Sequence, residues 1–504
     1  MTALELSRLQ FAVVTVYHYL FVPLSISLSA LTAGLQTVWW RTGDPRHGRA
    51  TMLVGKLLMA TFAVGVVTGL VQDFQFGLSW SAFAQYYGDV FGPTLAIEGM
   101  LAFFLEATFL GLWWFGRDRL RPLVHLATIW VVAIGTLISA YVILAANAFM
   151  QHPVGVSLDP TTGRARLGSF GALMTNEVVV ASFPHTIAGA FMAGGALLLA
   201  LGVWRRWRPR PGASGALSAC SPELLASSGR KAPSSTDDDD AAPTWRLLAR
   251  VGAWTTLAGG IAVALTGDVL GKVMTEVQPM KMAAAEALYE TTSHAPFSLF
   301  AVQLPGHAQP TSLDVPWLLS FLATGDPTAT VQGIDDLQAQ YVTQFGPGEY
   351  TPWIPVAYWT FRLMIGFGVL ATAVAAWVLW RTRRGRDLEP DGRGWFALGD
   401  RWLTRVLPVI PALPAAAATF GWLFTETARQ PWLVFGLFRT ADGVSPTLTP
   451  VELVASLAGF ALVYGVLAVV WVRLVLHVSR ADLVDLHPEP TDTPDEDPVL
   501  EPSY

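Results

Sequence analysis

The 504-residue sequence contains a single cysteine, Cys220, and only 14% of its residues are charged. One cysteine excludes a disulfide framework and a Cys-ligated zinc or iron–sulfur centre, so any bound metal must be held by His, Met or carboxylate. The charge present is slightly acidic, with a formal net charge of -6. Its acids gather in the run Asp237 to Asp240 and in the tail around Asp492 to Glu501, which argues against nucleic acid as the main partner. The N-terminus lacks the basic start and small-residue cleavage site of a signal peptide, and its apolar run continues past Pro23. No internal repeat is visible either. Apolar surface is what abounds. With 52% hydrophobic residues and a positive mean hydropathy, the chain is too apolar for an ordinary soluble enzyme and belongs in a lipid bilayer.

A hydrocarbon core of ~30 Å needs about 20 apolar residues per crossing helix. Stretches of that length lie near 9–39, 52–72, 93–115, 123–148, 179–203, 245–270, 353–380, 403–425 and 450–476. The predicted fold is therefore all-α, a polytopic bundle of about nine transmembrane helices. Pro408, Pro411 and Pro414 interrupt the eighth stretch, which membrane helices tolerate when neighbours satisfy the freed backbone groups. Lys and Arg cluster in the loops after spans one, three, five and seven, whereas the other loops carry at most two. The positive-inside rule then puts the N-terminus outside and the C-terminus in the cytoplasm. Spans one to five occupy 1–204, a disordered cytoplasmic linker 205–244 and span six 245–270. An external loop covers 271–352, spans seven to nine 353–477 and an acidic cytoplasmic tail 478–504. The linker contains SSTDDDD and is rich in Ser, Ala, Gly and Pro, too polar to order itself. The external loop is too long to be a mere connection, and it carries the amphipathic stretch KMAAAEALYE.

Ionisable and metal-ligating residues inside spans need a reason to be there, because a charge at mid-membrane costs roughly 2.5–3.5 kcal/mol on the mildest scale. His18 lies in TVYHYLFVP of span one and His185 in ASFPHTIAG of span five. Met364 lies in FRLMIGFG of span seven, two residues after Arg362, an intramembrane arginine that wants an anion. Each alone is compatible with a core residue. Span three holds Glu98 and Glu106, eight residues apart, close to one helix face and at different depths, as in a proton relay. Glu426 closes span eight with Arg429 one turn on. Under the orientation above, His18, Glu98, His185, Met364 and Glu426 come from five spans yet share the outer half of the membrane. His with Met is an axial pair for a low-spin, electron-transferring haem, and a single strong ligand leaves an iron face open for oxygen. A proton-coupled transporter would also place acids in spans, but it would not gather His and Met at one depth. The remaining histidines, His47, His125, His152, His294, His307, His477 and His487, sit in loops or at span ends and read mostly as surface residues.

The segments GPTLAIEGMLAFFLEATFLGLWWFG, EVQPMKMAAAEALYE, FRLMIGFG and GWLFTETARQPW closely resemble subunit I of the cytochrome bd family of quinol oxidases, in order along almost the whole chain. The resemblance implies a terminal oxidase that oxidises quinol at the outer face and reduces O2 to water, separating charge without pumping protons. It implies that His185 and Met364 ligate a low-spin haem b. His18 and Glu426 would each serve one of two high-spin haems, haem b and haem d, with either assignment open. Glu98 would lie beside the high-spin pair, with Glu106 further along the proton path from the cytoplasm. Arg362 and Arg429 would neutralise nearby carboxylates, and Trp422 would sit between haems. Lys281 and Glu286 match the functional Lys and Glu of the family's quinol-binding loop, here of the shorter kind. Their spacing suggests a carboxylate that accepts a quinol proton near a cation. A second membrane subunit, subunit II, and a small single-helix subunit are the partners it suggests. One departure stands out: the usual glycine before RQPW is Ala428.

Overall fold

The computed structural model describes residues 2–207, 235–302, 311–383, 405–480 and 483. Long helices dominate: α1 (Ala3–Tyr19), α2 (Val22–Thr42), α3 (Pro45–Leu78), α4 (Ser81–Glu98), α5 (Ala107–Phe115) and α6 (Pro122–Gln151). They continue as α7 (Phe170–Met174), α8 (Glu177–Trp207), α9 (Ser235–Val277), α10 (Pro279–Glu286), α11 (Leu318–Thr324) and α12 (Ile334–Phe345). The last three are α13 (Ile354–Arg381), α14 (Ala412–Thr427) and α15 (Pro450–Arg480). Among the described residues, eight helices are long and apolar enough to cross a membrane. The third expected span, 93–115, is present but divided. Its α4 end runs into a π-helical segment, Gly99–Glu106, before α5 resumes the ordinary winding. Such wide turns recur at functional sites, and here they separate Glu98 from Glu106.

Several boundaries differ from those read off the sequence. The first span breaks at Leu20–Phe21, where Pro23 starts α2 at a position that needs no helical N–H. Span eight survives its prolines for the same reason. Pro408 lies in a short 3-10 turn, Pro411 caps α14 and Pro414 falls in its first turn. The linker expected at 205–244 lies largely outside the described residues, and its ends, 205–207 and 235–244, are helical continuations of α8 and α9. Helix α9 also outruns the expected sixth span, reaching Val277. The acidic tail is outside the described residues except for 478–480 and 483.

The main apolar core joins α2, α3, α5, α6, α8 and α9 through Leu28, Leu57, Trp113, Ile129, Leu198 and Leu248. Helices α8 and α9 approach backbone to backbone over glycines two turns apart. A Cβ at Gly195 would stand 2.6 Å from the Thr256 nitrogen, and one at Gly202 would stand 2.5 Å from the Ala249 nitrogen. Small residues are what allow such contact between membrane helices, and this contact brings the face of α8 that carries His185 against α9. The outer faces stay apolar and exposed, as at Leu265 and Val269 of α9, Val369 of α13 and Leu462 and Val466 of α15. The 271–352 segment folds into α10 to α12 and the two-stranded sheets Thr292–Ser293 with Thr330–Val331 and Phe297–Val302 with Thr311–Val315.

Candidate functional site

A cavity opens among α6, α8, α9, α13 and α14. Its lining includes His185, Met364, Trp422 and Lys281, so side chains far apart in the chain meet at one chamber. His185 projects from α8 toward α9, where its Nδ1 lies 3.2 Å from the Val263 carbonyl. A carbonyl only accepts, so Nδ1 carries the proton and the Nε2 lone pair is left for a metal. Met364 comes from α13 and meets α14 at Gly421, where a Cβ would stand 2.8 Å from the Met364 sulfur.

His18 stands at the end of α1, with Nδ1 2.9 Å from the Thr68 hydroxyl on α3. Its neighbour Tyr19 lines the chamber and stacks on Trp422 at 5.1 Å between ring centres. Trp422 therefore lies between the segment bearing His18 and the one bearing Met364. Glu426, one turn further along α14, accepts from Asn147 Nδ2 at 3.0 Å and pairs with Arg429 at 2.6 Å. Asn147 carries no signal in the sequence; only the packing of α6 against α14 reveals it.

Glu98 and Glu106 face the same helix, as their spacing suggests. Glu98 receives the Ser139 hydroxyl at 3.5 Å, and the Glu106 side chain lies against Gly135 of α6. Glu106 is buried, and its Oε1 has no partner among the described residues.

Lys281 and Glu286 are both buried in α10, but the structure does not bring them together. Five residues turn a helix by well over a third of a circle, so they face opposite ways. The Lys281 amine reaches Gln151 Oε1 at 3.1 Å and the Thr425 carbonyl at 3.4 Å. Burial pushes it down to about 7, with Arg429 adding repulsion against the pull of Glu426. The cation beside Glu286 is instead Arg362 of α13, whose Nη2 lies 2.5 Å and Nη1 3.3 Å from the two carboxylate oxygens. Arg362 Nε also donates to the Ser298 carbonyl at 2.6 Å. Burial holds the Glu286 carboxyl up at about 7 even with Arg362 pulling it down. Glu286 also borders an open pocket lined by Tyr289, Ser298 and Asp314. Arg362 thus meets an acid of this chain, Glu286, in the 271–352 segment.

Two further differences from the sequence reading concern local chemistry. His125 is buried rather than on the surface: Gln36 Nε2 donates to its Nδ1 at 2.8 Å and its Nε2 donates to the Trp113 carbonyl at 2.7 Å. Trp113 Nε1 closes the network on Gln36 Oε1 at 2.7 Å. Ala428 replaces the expected glycine without strain, because its backbone is right-handed at φ -77 and needs no glycine.

The residues that line the chamber and those beside it fit a haem. Imidazole and thioether are iron ligands, glycines leave room where each ligand side chain lies, and Arg429 Nε and Nη1 and Trp422 Nε1 are buried donors without partners among the described residues. Buried donors of that kind are costly unless an acceptor reaches them, and haem carboxylates are acceptors.

Helices with apolar outer faces around a chamber of imidazole, thioether and cationic donors define a multi-pass membrane protein that holds a large anionic cofactor. The chain belongs to the cytochrome bd terminal oxidase subunit I family, whose model matches residues 6–483. It is 36% identical to cytochrome bd ubiquinol oxidase subunit 1 of Bacillus subtilis (strain 168), over 94% of this chain and 93% of that one. It is 30% identical to cytochrome bd-II ubiquinol oxidase subunit 1 of Escherichia coli (strain K12), over 95% of this chain and 96% of that one. Among solved structures, the bd oxidase from Geobacillus thermodenitrificans matches with a TM-score of 0.79 at 28% identity, covering 95% of this chain and 98% of that chain.

Proposed function

We propose that this chain is the haem-carrying subunit of a bacterial terminal oxidase, a quinol:oxygen oxidoreductase that oxidises quinol at the outer membrane face and reduces O2 to water inside the bundle. The relatives are ubiquinol oxidases by name, and the observation that carries the reading here is the meeting of His185 and Met364 at one chamber. These two would hold a low-spin haem b. His18 and Glu426 would each hold one of the high-spin haem b and haem d. When bound, the haems supply one-electron carriage and an iron face open to oxygen.

The chain's own residues bind quinol and move protons. Glu286, near 7, is suited to take a quinol proton at neutral pH, and Arg362 holds the carboxylate in place. Lys281, on the opposite face of the same short helix, links the quinol side to the Glu426 and Arg429 pair. Glu106 and Glu98 carry protons inward from the cytoplasm along the face of α6. Protons released outside and consumed from inside separate charge without a pump. The exposed apolar faces of the bundle fit lipid and a second membrane subunit. Replacing Glu426 with Gln tests the reading: loss of one high-spin haem signal together with O2 uptake is expected, and intact spectra would overturn it.

A further inference from the structure

The two histidines are seated in the same way. His18 faces Thr68 and Gly69 of α3, and His185 faces Thr266 and Gly267 of α9. A Cβ at Gly69 would lie 3.1 Å from His18 Cε1, and a Cβ at Gly267 would lie 3.1 Å from His185 Cε1. Each imidazole thus rests edge-on against a helix at a Thr–Gly step, where only the missing side chain leaves the ring room.

The hydrogen bonds differ between the two seats. The Thr68 hydroxyl donates within its own helix, to the Gly65 carbonyl at 2.9 Å and the Val64 carbonyl at 3.0 Å. With its one hydrogen so committed, it accepts from His18 at 2.9 Å, beside the Gly65 carbonyl that also faces the ring; two acceptors put the proton on Nδ1 and leave Nε2 unprotonated. At the second seat the acceptor for His185 Nδ1 is the Val263 carbonyl at 3.2 Å. Thr266 is further away, at 3.4 Å, and its hydroxyl is bound to the Ala262 carbonyl at 2.7 Å.

We infer that Thr68 and Gly69 are positioning residues for His18, the hydroxyl fixing its tautomer and the glycine its ring plane, whereas at His185 the backbone of α9 and Gly267 do this work and the Thr266 hydroxyl is dispensable. The inference rests on the proposal that both histidines hold haem. Partners on the far nitrogen of a ligating histidine set its basicity and orientation, and losing one typically weakens binding about 10- to 100-fold.

The test uses the purified, haem-loaded complex, with reduced-minus-oxidised spectra, redox titration and the rate of haem transfer to excess apomyoglobin. Thr68→Val is expected to speed loss of one high-spin haem about 10- to 100-fold and to shift its midpoint potential, with the low-spin signal unchanged. Thr68→Ser, which keeps the hydroxyl, is expected to restore both, a rescue that a packing role alone would not give. Thr266→Val is expected to leave the low-spin haem as in the unaltered protein, and Gly267→Ala to perturb it. Unaltered potential and haem retention in Thr68→Val would overturn the inference, as would a low-spin haem damaged by Thr266→Val. His18→Ala separates the two levels: if it leaves every haem in place, the ligand reading fails; if it removes one while Thr68→Val does nothing, only the seat fails.

Discussion

Replacing Arg362 with Gln removes the cation that holds Glu286, and its effect can be worked through. With Arg362 present, Glu286 sits near 7, so about half of it is ionised at pH 7 and ready to take a quinol proton. An adjacent arginine typically lowers a carboxyl by about 1–3 pH units. Without it, burial outweighs the remaining Ser298 hydrogen bond and the carboxyl rises by about that amount. The ionised fraction at pH 7 then falls from about one half to between about one in ten and one in a thousand. If the ionised form is the acceptor, kcat/KM for quinol at pH 7 drops about 5- to 500-fold. The sign follows from the same chemistry: activity in the unaltered protein rises as pH climbs through about 7, and in the variant the rise moves to higher pH. Quinol-driven O2 uptake from pH 6 to 9 measures both, with haem spectra as a check that the bundle is intact. Glu286→Gln serves as the reference and is expected to abolish the rise altogether. An Arg362→Gln profile that keeps the original midpoint, or a Glu286→Gln profile that keeps the rise, would refute the reasoning.

Glu106→Gln is expected to lower O2 uptake at least about 100-fold, the usual worth of a positioned proton donor, while leaving haem content and spectra in place; uptake near the original rate would remove Glu106 from the proton path. His125→Ala strands the Gln36 amide and the Trp113 carbonyl inside the bundle. At about 1–3 kcal/mol for each group left without a partner, it should clearly lower the thermal midpoint of the solubilised protein. A midpoint within error of the original would show that the network carries no stability.

The spans were legible in the sequence because lipid-facing helices must be apolar along their length, and His185 stood out because a histidine is a rare interruption of such a run, whereas Met364 is apolar and was marked only by Arg362 two residues before it. The winding of Gly99–Glu106 was not legible, since a π-helix alters hydrogen bonding without changing composition. Pairings across the fold were hidden as well. Arg362 signalled its need for an anion, but the acid that meets it lies 76 positions earlier in a segment whose depth hydropathy cannot fix. The resemblance put Lys281 forward as the cation near Glu286, but their i,i+5 spacing is not a helical pair and the structure turns them apart. Asn147, Thr68 and Thr266 are ordinary polar residues in ordinary helices, and only the helices packed against them give them meaning. His125 was grouped with histidines at span ends that read mostly as surface residues, yet a helix end covered by Gln36 and Trp113 is interior.

The central claim is the proposal that this bundle holds b-type haem and a chlorin on His18, His185, Met364 and Glu426. Reduced-minus-oxidised spectroscopy of the purified complex, followed by acid extraction and identification of the released haems, tests it most directly. The expected result is b-type haem in excess over a d-type chlorin, with the low-spin signal lost in His185→Ala and in Met364→Leu. Absence of both haem types, or a low-spin signal that survives loss of His185, would contradict it.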